Sequence, residues 1–216
     1  MAVTTPAARI PSHGVDMLGQ RYAFDFVKVD DRRGVRVHPG SALTTSVLGA
    51  RADDCYAWDA QIHAPMDGEV VVAFDGMAER AWVHPLREIA RMMWNGLTFR
   101  PDRLPRILGN HVILRAGDLY AGFAHLRPGS VQVSAGDRVS AGEVLGRVGH
   151  TGNSTTPHLH FQLMDAADPL HAKGVACAFA AYDVRAEDGT WTRVERGIPG
   201  SRERIRSVAQ GVRPQR

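Results

Sequence analysis

Cysteine is nearly missing from this chain: 216 residues contain only Cys55 and Cys177. Neither belongs to a Cys-x-x-Cys pair, which excludes a cysteine-built metal centre. One disulfide is permitted, but the spacing does not argue for it. Lysine is as scarce, with Lys28 and Lys173 alone among 26 basic residues. No apolar run approaches the roughly 20 residues of a membrane-spanning helix, so no transmembrane segment is expected. The first eleven residues lack an apolar core and an early basic cluster, and no export signal is expected in them. A strong net charge is missing too. The formal balance of +3 is too mild to predict a nucleic-acid partner. It is also uneven, because from Arg185 onward eight arginines stand against four acids. That reads as a solvated, partly mobile basic extension. The remaining balance, 44% hydrophobic and 23% charged, is that of a globular protein and excludes a disordered one. The length suits one domain with extensions.

The chemistry gathers on histidine. Residues 149–161 read Gly-His-Thr-Gly-Asn-Ser-Thr-Thr-Pro-His-Leu-His-Phe, a small-residue loop running into a strand. Side chains two apart on a strand share a face, so His158 and His160 project together while Leu159 and Phe161 turn the other way. Two imidazoles one strand-step apart make half of a metal or acid–base site. Taken alone, they fit the polar face of a half-buried strand equally well. A third histidine lies upstream in Phe123-Ala124-His125-Leu126, and a fourth in Ser12-His13-Gly14-Val15-Asp16. After the latter, residues 21–27 alternate: Tyr22, Phe24 and Phe26 fall on one face, Ala23, Asp25 and Val27 on the other. Asp25 is therefore a carboxylate in an apolar strand. Left unpaired it would be costly, so a metal or an arginine is expected beside it.

The rest of the pattern is mostly β. Residues 62–73 read as strand, Asp67-Gly68 turn, strand. Residues 109–115 and 119–126 form a hairpin about Gly117-Asp118, and 131–148 hold short alternating strands between glycine turns. The expected fold is a compact antiparallel β-barrel or sandwich. Residues 80–94 predict a short amphipathic helix with Trp82, Leu86, Ile89, Ala90 and Met93 on one face and Pro85 in its first turn. Met92, Met93 and Trp94 read as core, and the segment as one wall of a substrate groove.

Residues 12–27, 62–73 and 109–164, about half of the chain, resemble the LytM/lysostaphin-type zinc metalloendopeptidases. That family shows an aromatic-x-His-Leu segment, a Gly-rich hairpin, and a Gly-containing loop ending in His-Leu-His-Phe. The resemblance implies the duplicated-hybrid-motif fold, a bound Zn2+, and hydrolysis of peptidoglycan cross-bridges or stem peptides in the cell envelope or outside the cell. Matched position by position, it implies His13, Asp25 and His160 as metal ligands, with His125 and His158 as catalytic groups beside the metal-bound water. It also divides the chain into an extension at 1–11, a peptidase domain at 12–184 with insertions at about 30–57 and 77–108, and a basic extension at 185–216. The first motif departs from the family's His-x-x-x-Asp, because Asp16 comes one residue too early and Asp25 much later. Asp25 is preferred, since Tyr-Ala-Phe-Asp-Phe resembles the strand of divergent members, whereas Asp16 sits in a Gly-flanked turn where a solvated aspartate is commonplace. A non-catalytic relative that binds cell wall or activates an amidase is the alternative, and the retained histidines count against it. Biotinyl and lipoyl carriers share the strand pattern, but neither lysine sits at the hairpin tip that they modify.

Overall fold

The alternating segments become strands in the computed structural model, which describes residues 1–30, 35–41, 45 and 48–208. Eight of them belong to one antiparallel sheet: β1 (Ala2–Thr4), β2 (Phe24–Phe26), β3 (Gly68–Phe74), β4 (Asn110–Ala116), β5 (Leu119–Leu126), β6 (Arg138–Val139), β7 (Leu159–Met164) and β8 (Gly174–Val175). The order is β1-β2-β7-β5-β4-β3-β6, with β8 also pairing β7. The class is mainly β and antiparallel, as expected. The path is open, so the sheet does not close into the barrel that was one of the two expected forms.

One face of β2 and β7 builds the core. Phe24 is fully buried and stacks on Phe26 at 5.6 Å, with Phe179 edge-on at 5.3 Å and Phe161 at 6.3 Å. Burying each such ring contributes roughly 1.5–3 kcal/mol. Because side chains alternate, anchoring Phe24 and Phe26 inward turns Asp25 to the opposite face. The register then sets His160 opposite Asp25 on one side and opposite Ala124, the neighbour of His125, on the other.

Two expectations of pairing need correction. The hairpin of 109–126 forms as read, but Gln61–His63 and β3 do not pair with each other. Gln61–His63 pairs with Val144–Arg147, and β3 pairs with β4 and β6. Pro65 lacks the N–H that a continuing ladder needs. Asp67 accepts a hydrogen bond from the Ala141 amide (2.8 Å), which ties the turn to a distant loop. The basic extension, expected to be solvated, is folded as far as residue 208. Phe179–Arg185, Trp191–Gly197 and Ile205–Arg206 form a three-stranded sheet, and Arg206 lies 4.4 Å over the Trp191 ring while pairing with Asp183. Residues 209–216 lie outside the described part. Cys55 and Cys177 are both free.

The two insertions meet each other, because Ala50–Arg51 pairs with Trp82–Val83. Beyond that bridge, α1 (Pro85–Leu97) has Pro85 in its first turn, as expected, but it starts and ends later than the expected 80–94, and α2 (Leu104–Leu108) leads into β4. Trp82 lies in the strand before the helix. Met93 and Trp94, read as core, are exposed, and the buried side of α1 carries Glu88 instead.

Candidate metal and acid–base site

Three donor atoms converge where β2, β7 and the loop before β2 meet. His13, Asp25 and His160 each offer one ligand atom, all within 4.8 Å of one another. The hydrogen bonds behind them determine which atoms these are. Gln162 donates its amide N–H to the Leu18 carbonyl (2.8 Å), so its oxygen faces His160 Nε2 at 2.9 Å and must accept an N–H there. With that single proton the ring turns its Nδ1 lone pair to Asp25 Oδ1 across 2.9 Å. Ser12 Oγ lies 3.2 Å from the Gln20 carbonyl and 3.1 Å from His13 Nδ1, and when its proton goes to the carbonyl it accepts from Nδ1. In that tautomer His13 Nε2 presents its lone pair 3.0 Å from Asp25 Oδ2.

In these tautomers two lone pairs face one carboxylate, an arrangement that calls for positive charge between them, whereas in the others the rings donate N–H bonds to Asp25. A proton on His13 is disfavoured, since burial outweighs Asp25 and holds its pKa below the ordinary imidazole value. A cation resolves the conflict. Two imidazole nitrogens and a carboxylate oxygen are the donor types that suit zinc. Asp25 stays ionised: burial opposes its charge, but the His158 charge beside it, and N–H bonds from His13, His158 and His160 where those rings donate, hold its carboxyl well below the usual range. Asp16 is elsewhere, half-exposed and paired with Arg21.

The other two histidines stand against this group. His125 has φ 67°, a left-handed backbone that costs a residue with a side chain about 1–3 kcal/mol and that is met most often at functional sites. It bulges β5, shifting the register to β4 between Asn110 and Val112, and aims the ring so that Nδ1–H donates to the Thr151 carbonyl at 3.0 Å, leaving Nε2 as the lone-pair nitrogen. His158 donates from Nδ1 to the Thr156 carbonyl (2.7 Å), with Nε2 3.5 Å from Asp25 Oδ1. The two rings are 4.7 Å apart. Their protonation is pushed in opposite directions. Burial, with His158 and His160 nearby, holds His125 well below the usual imidazole range, whereas at His158 burial is outweighed by Asp25 and the pKa is raised. All five side chains line a cavity of about 470 Å³ whose walls include Met17 and Leu18 on one side and Met92, Phe99 and Ile107 on the other. The 77–108 segment walls the groove, as expected.

The histidine-bearing loop is held from behind. Gly152 (φ 64°) and Gly109 (φ 68°) pack backbone to backbone, and a Cβ on Gly152 would come within 2.4 Å of the Gly109 nitrogen. Gly152→Ala adds that clash to a left-handed strain of about 1–2 kcal/mol, so it should lower the unfolding free energy measured by urea titration by at least that much. Arg80 spans the loop, donating to the Gly152 carbonyl (2.9 Å) and the Ser154 carbonyl (2.8 Å).

Residues 95–172 match the model of Peptidase family M23. That segment is similar to peptidase family M23 domains. The matched span holds His125, His158 and His160, while His13 and Asp25 lie before it. Over 64 residues the chain is 37% identical to peptidoglycan DD-endopeptidase ShyA of Vibrio cholerae serotype O1, covering 30% of this chain and 15% of that one. Over 42 residues it is 55% identical to glycyl-glycine endopeptidase ALE-1 of Staphylococcus capitis, covering 19% and 11%. Over 103 residues it is 38% identical to DD-carboxypeptidase/endopeptidase Mpg of Neisseria meningitidis serogroup B, covering 42% and 23%. The matches therefore span less than a quarter of these relatives' lengths.

The five predicted residues come together, and four partners stand behind them that the motifs did not single out: Gln162, Ser12, Thr151 and Thr156. Gln162 was findable, since it follows His160 by two on the same strand face. Ser12 is adjacent to His13, and Thr151 sits inside the glycine loop. Outer partners of this kind typically contribute 10–100-fold in metal affinity. Gln162→Leu should thus weaken zinc binding by about 10–100-fold in a chelator competition while His160 itself remains.

Proposed function

We propose that this protein is a zinc-dependent endopeptidase that hydrolyses peptide bonds of peptidoglycan, in cross-bridges or stem peptides. The observation that carries this reading is the convergence of His13, Asp25 and His160, with donor atoms within 4.8 Å of one another, and of two further imidazoles in the same cavity. His13 Nε2, an Asp25 oxygen and His160 Nδ1 would hold the ion, and three protein ligands are the number that catalytic zinc sites use. Zinc, when bound, supplies a water of pKa about 7 and polarises the scissile carbonyl. His125 presents Nε2 as a proton acceptor, because its other nitrogen is committed to Thr151. It orients and deprotonates the attacking water. His158, similarly tied through Nδ1 to Thr156, holds the developing oxyanion or passes a proton to the leaving amine. The named activities of the matched relatives support peptidoglycan as the substrate. The compartment implied is the one where that polymer lies.

The test is elemental analysis of the purified protein and of His160→Ala, with release of soluble fragments from purified peptidoglycan sacculi measured on both. Near-stoichiometric zinc and fragment release, both lost in the variant, are expected. A protein that binds sacculi but takes up no zinc when it is supplied would instead be a wall-binding relative without catalysis.

A further inference from the structure

Helix α1 is turned inside out for a surface helix. At 100° per residue, Leu86, Ile89, Met93 and Leu97 fall within one arc with Trp94 at its edge. That arc faces away from the body: Leu86 is 76% exposed, Met93 61%, Trp94 66% and Leu97 81%. The opposite side is polar and anchored. Glu88 is buried and pairs with Arg80 at 3.1 Å, and Asn95 donates to Asn153. These anchors fix the rotation of the helix, so its apolar face cannot roll inward without breaking a buried ion pair. A contiguous apolar face of this kind marks a docking surface.

The charge beside it indicates the occupant. Arg87 and Arg91 flank the face on the Trp94 side, and Arg100, Arg103 and Arg106 follow in the next turns. The acids over the same stretch are Glu88, which is buried and pairs with Arg80 and, at 3.7 Å, with Arg91, and Asp102, which forms an exposed pair with Arg100 at 3.4 Å, so the arginines outnumber them. We propose that α1 and the turn after it dock on an anionic membrane surface, with the apolar face in the headgroup–acyl boundary and the arginines on lipid phosphates. Leucine, methionine and tryptophan on one face with arginine on its flank is the pattern of an interfacial helix, whose binding combines buried apolar area with attraction to anionic lipid. A second copy of this chain is disfavoured as occupant, since it would bring two arginine-rich rims together. The docked face lies beside the cleft, because Met92 and Gly96 of the same helix line the cavity. The proposal does not depend on hydrolysis.

The experiment is co-sedimentation of the full chain with phosphatidylcholine vesicles, with and without phosphatidylglycerol. Binding should be at least about tenfold tighter with the anionic lipid and should weaken with salt. Leu86→Ser/Met93→Ser/Leu97→Ser should reduce it about tenfold or more, as should Arg87→Gln/Arg100→Gln, with thermal midpoints unchanged. A blue shift of tryptophan emission on vesicle addition, lost in Trp94→Phe, reads the same contact without disturbing the fold. Failure to bind either vesicle, or binding that survives both sets of substitutions, overturns the proposal. A dimer in sedimentation equilibrium that the serine variant dissociates overturns it as well, in favour of a second copy.

Discussion

Asp25→Ala is expected to be purified without zinc and to release nothing from peptidoglycan, while Asp16→Ala keeps both properties. Asp25 is the group that both rings face, Oδ2 toward His13 Nε2 and Oδ1 toward His160 Nδ1. Its removal leaves two imidazoles whose ring centres are 4.9 Å apart, with no anion between them. Losing a ligand costs more than losing an outer partner, so affinity should fall by well over about 100-fold. Thermal unfolding separates this from simple misfolding. A ligand that binds only the folded state raises the midpoint, so a chelator should lower the midpoint of the parent protein and leave that of Asp25→Ala unmoved. If Asp16→Ala lost the metal and Asp25→Ala retained it, the ligand assignment would be wrong.

His125→Ala should do the reverse, keeping zinc and losing turnover. Its ring approaches those of His158 and His160 at 4.7 and 5.8 Å but does not belong to the group of converging donors. A positioned general base contributes typically 10²–10⁴-fold, and kcat should fall by about that factor with metal content unchanged. The substitution also leaves the Thr151 carbonyl without its donor, so some stability should be lost. His125→Gln, which can still donate to that carbonyl, controls for this and should be equally inactive. Loss of zinc in either variant would make His125 a ligand and require the acid–base roles to be redrawn.

Much of this site could be read locally. His158 and His160 share a face because a strand repeats every two residues, and Asp25 stood out as a carboxylate among aromatic neighbours. Both facts need only a window of a few residues. The helix of the second insertion was equally visible, and so was its amphipathic character. Its direction was not, because periodicity shows that two faces differ without saying which one meets the body. The buried pairing of Glu88 with Arg80 decided that.

The sequence by itself determined the mainly β class and the helix, and it offered the five side chains as candidates. The tertiary structure alone decided that Asp25 lies against His160, 135 residues away, that Gln162 and Ser12 back the two rings that face it, and that Gln61–His63 pairs with Val144–Arg147 and not with its neighbour in sequence. The physical reason is the range of the interactions. Alternation and turn chemistry act over a few residues, whereas the register between distant strands is set by the joint packing of Phe24, Phe26, Phe161 and Phe179, and no single segment contains that information.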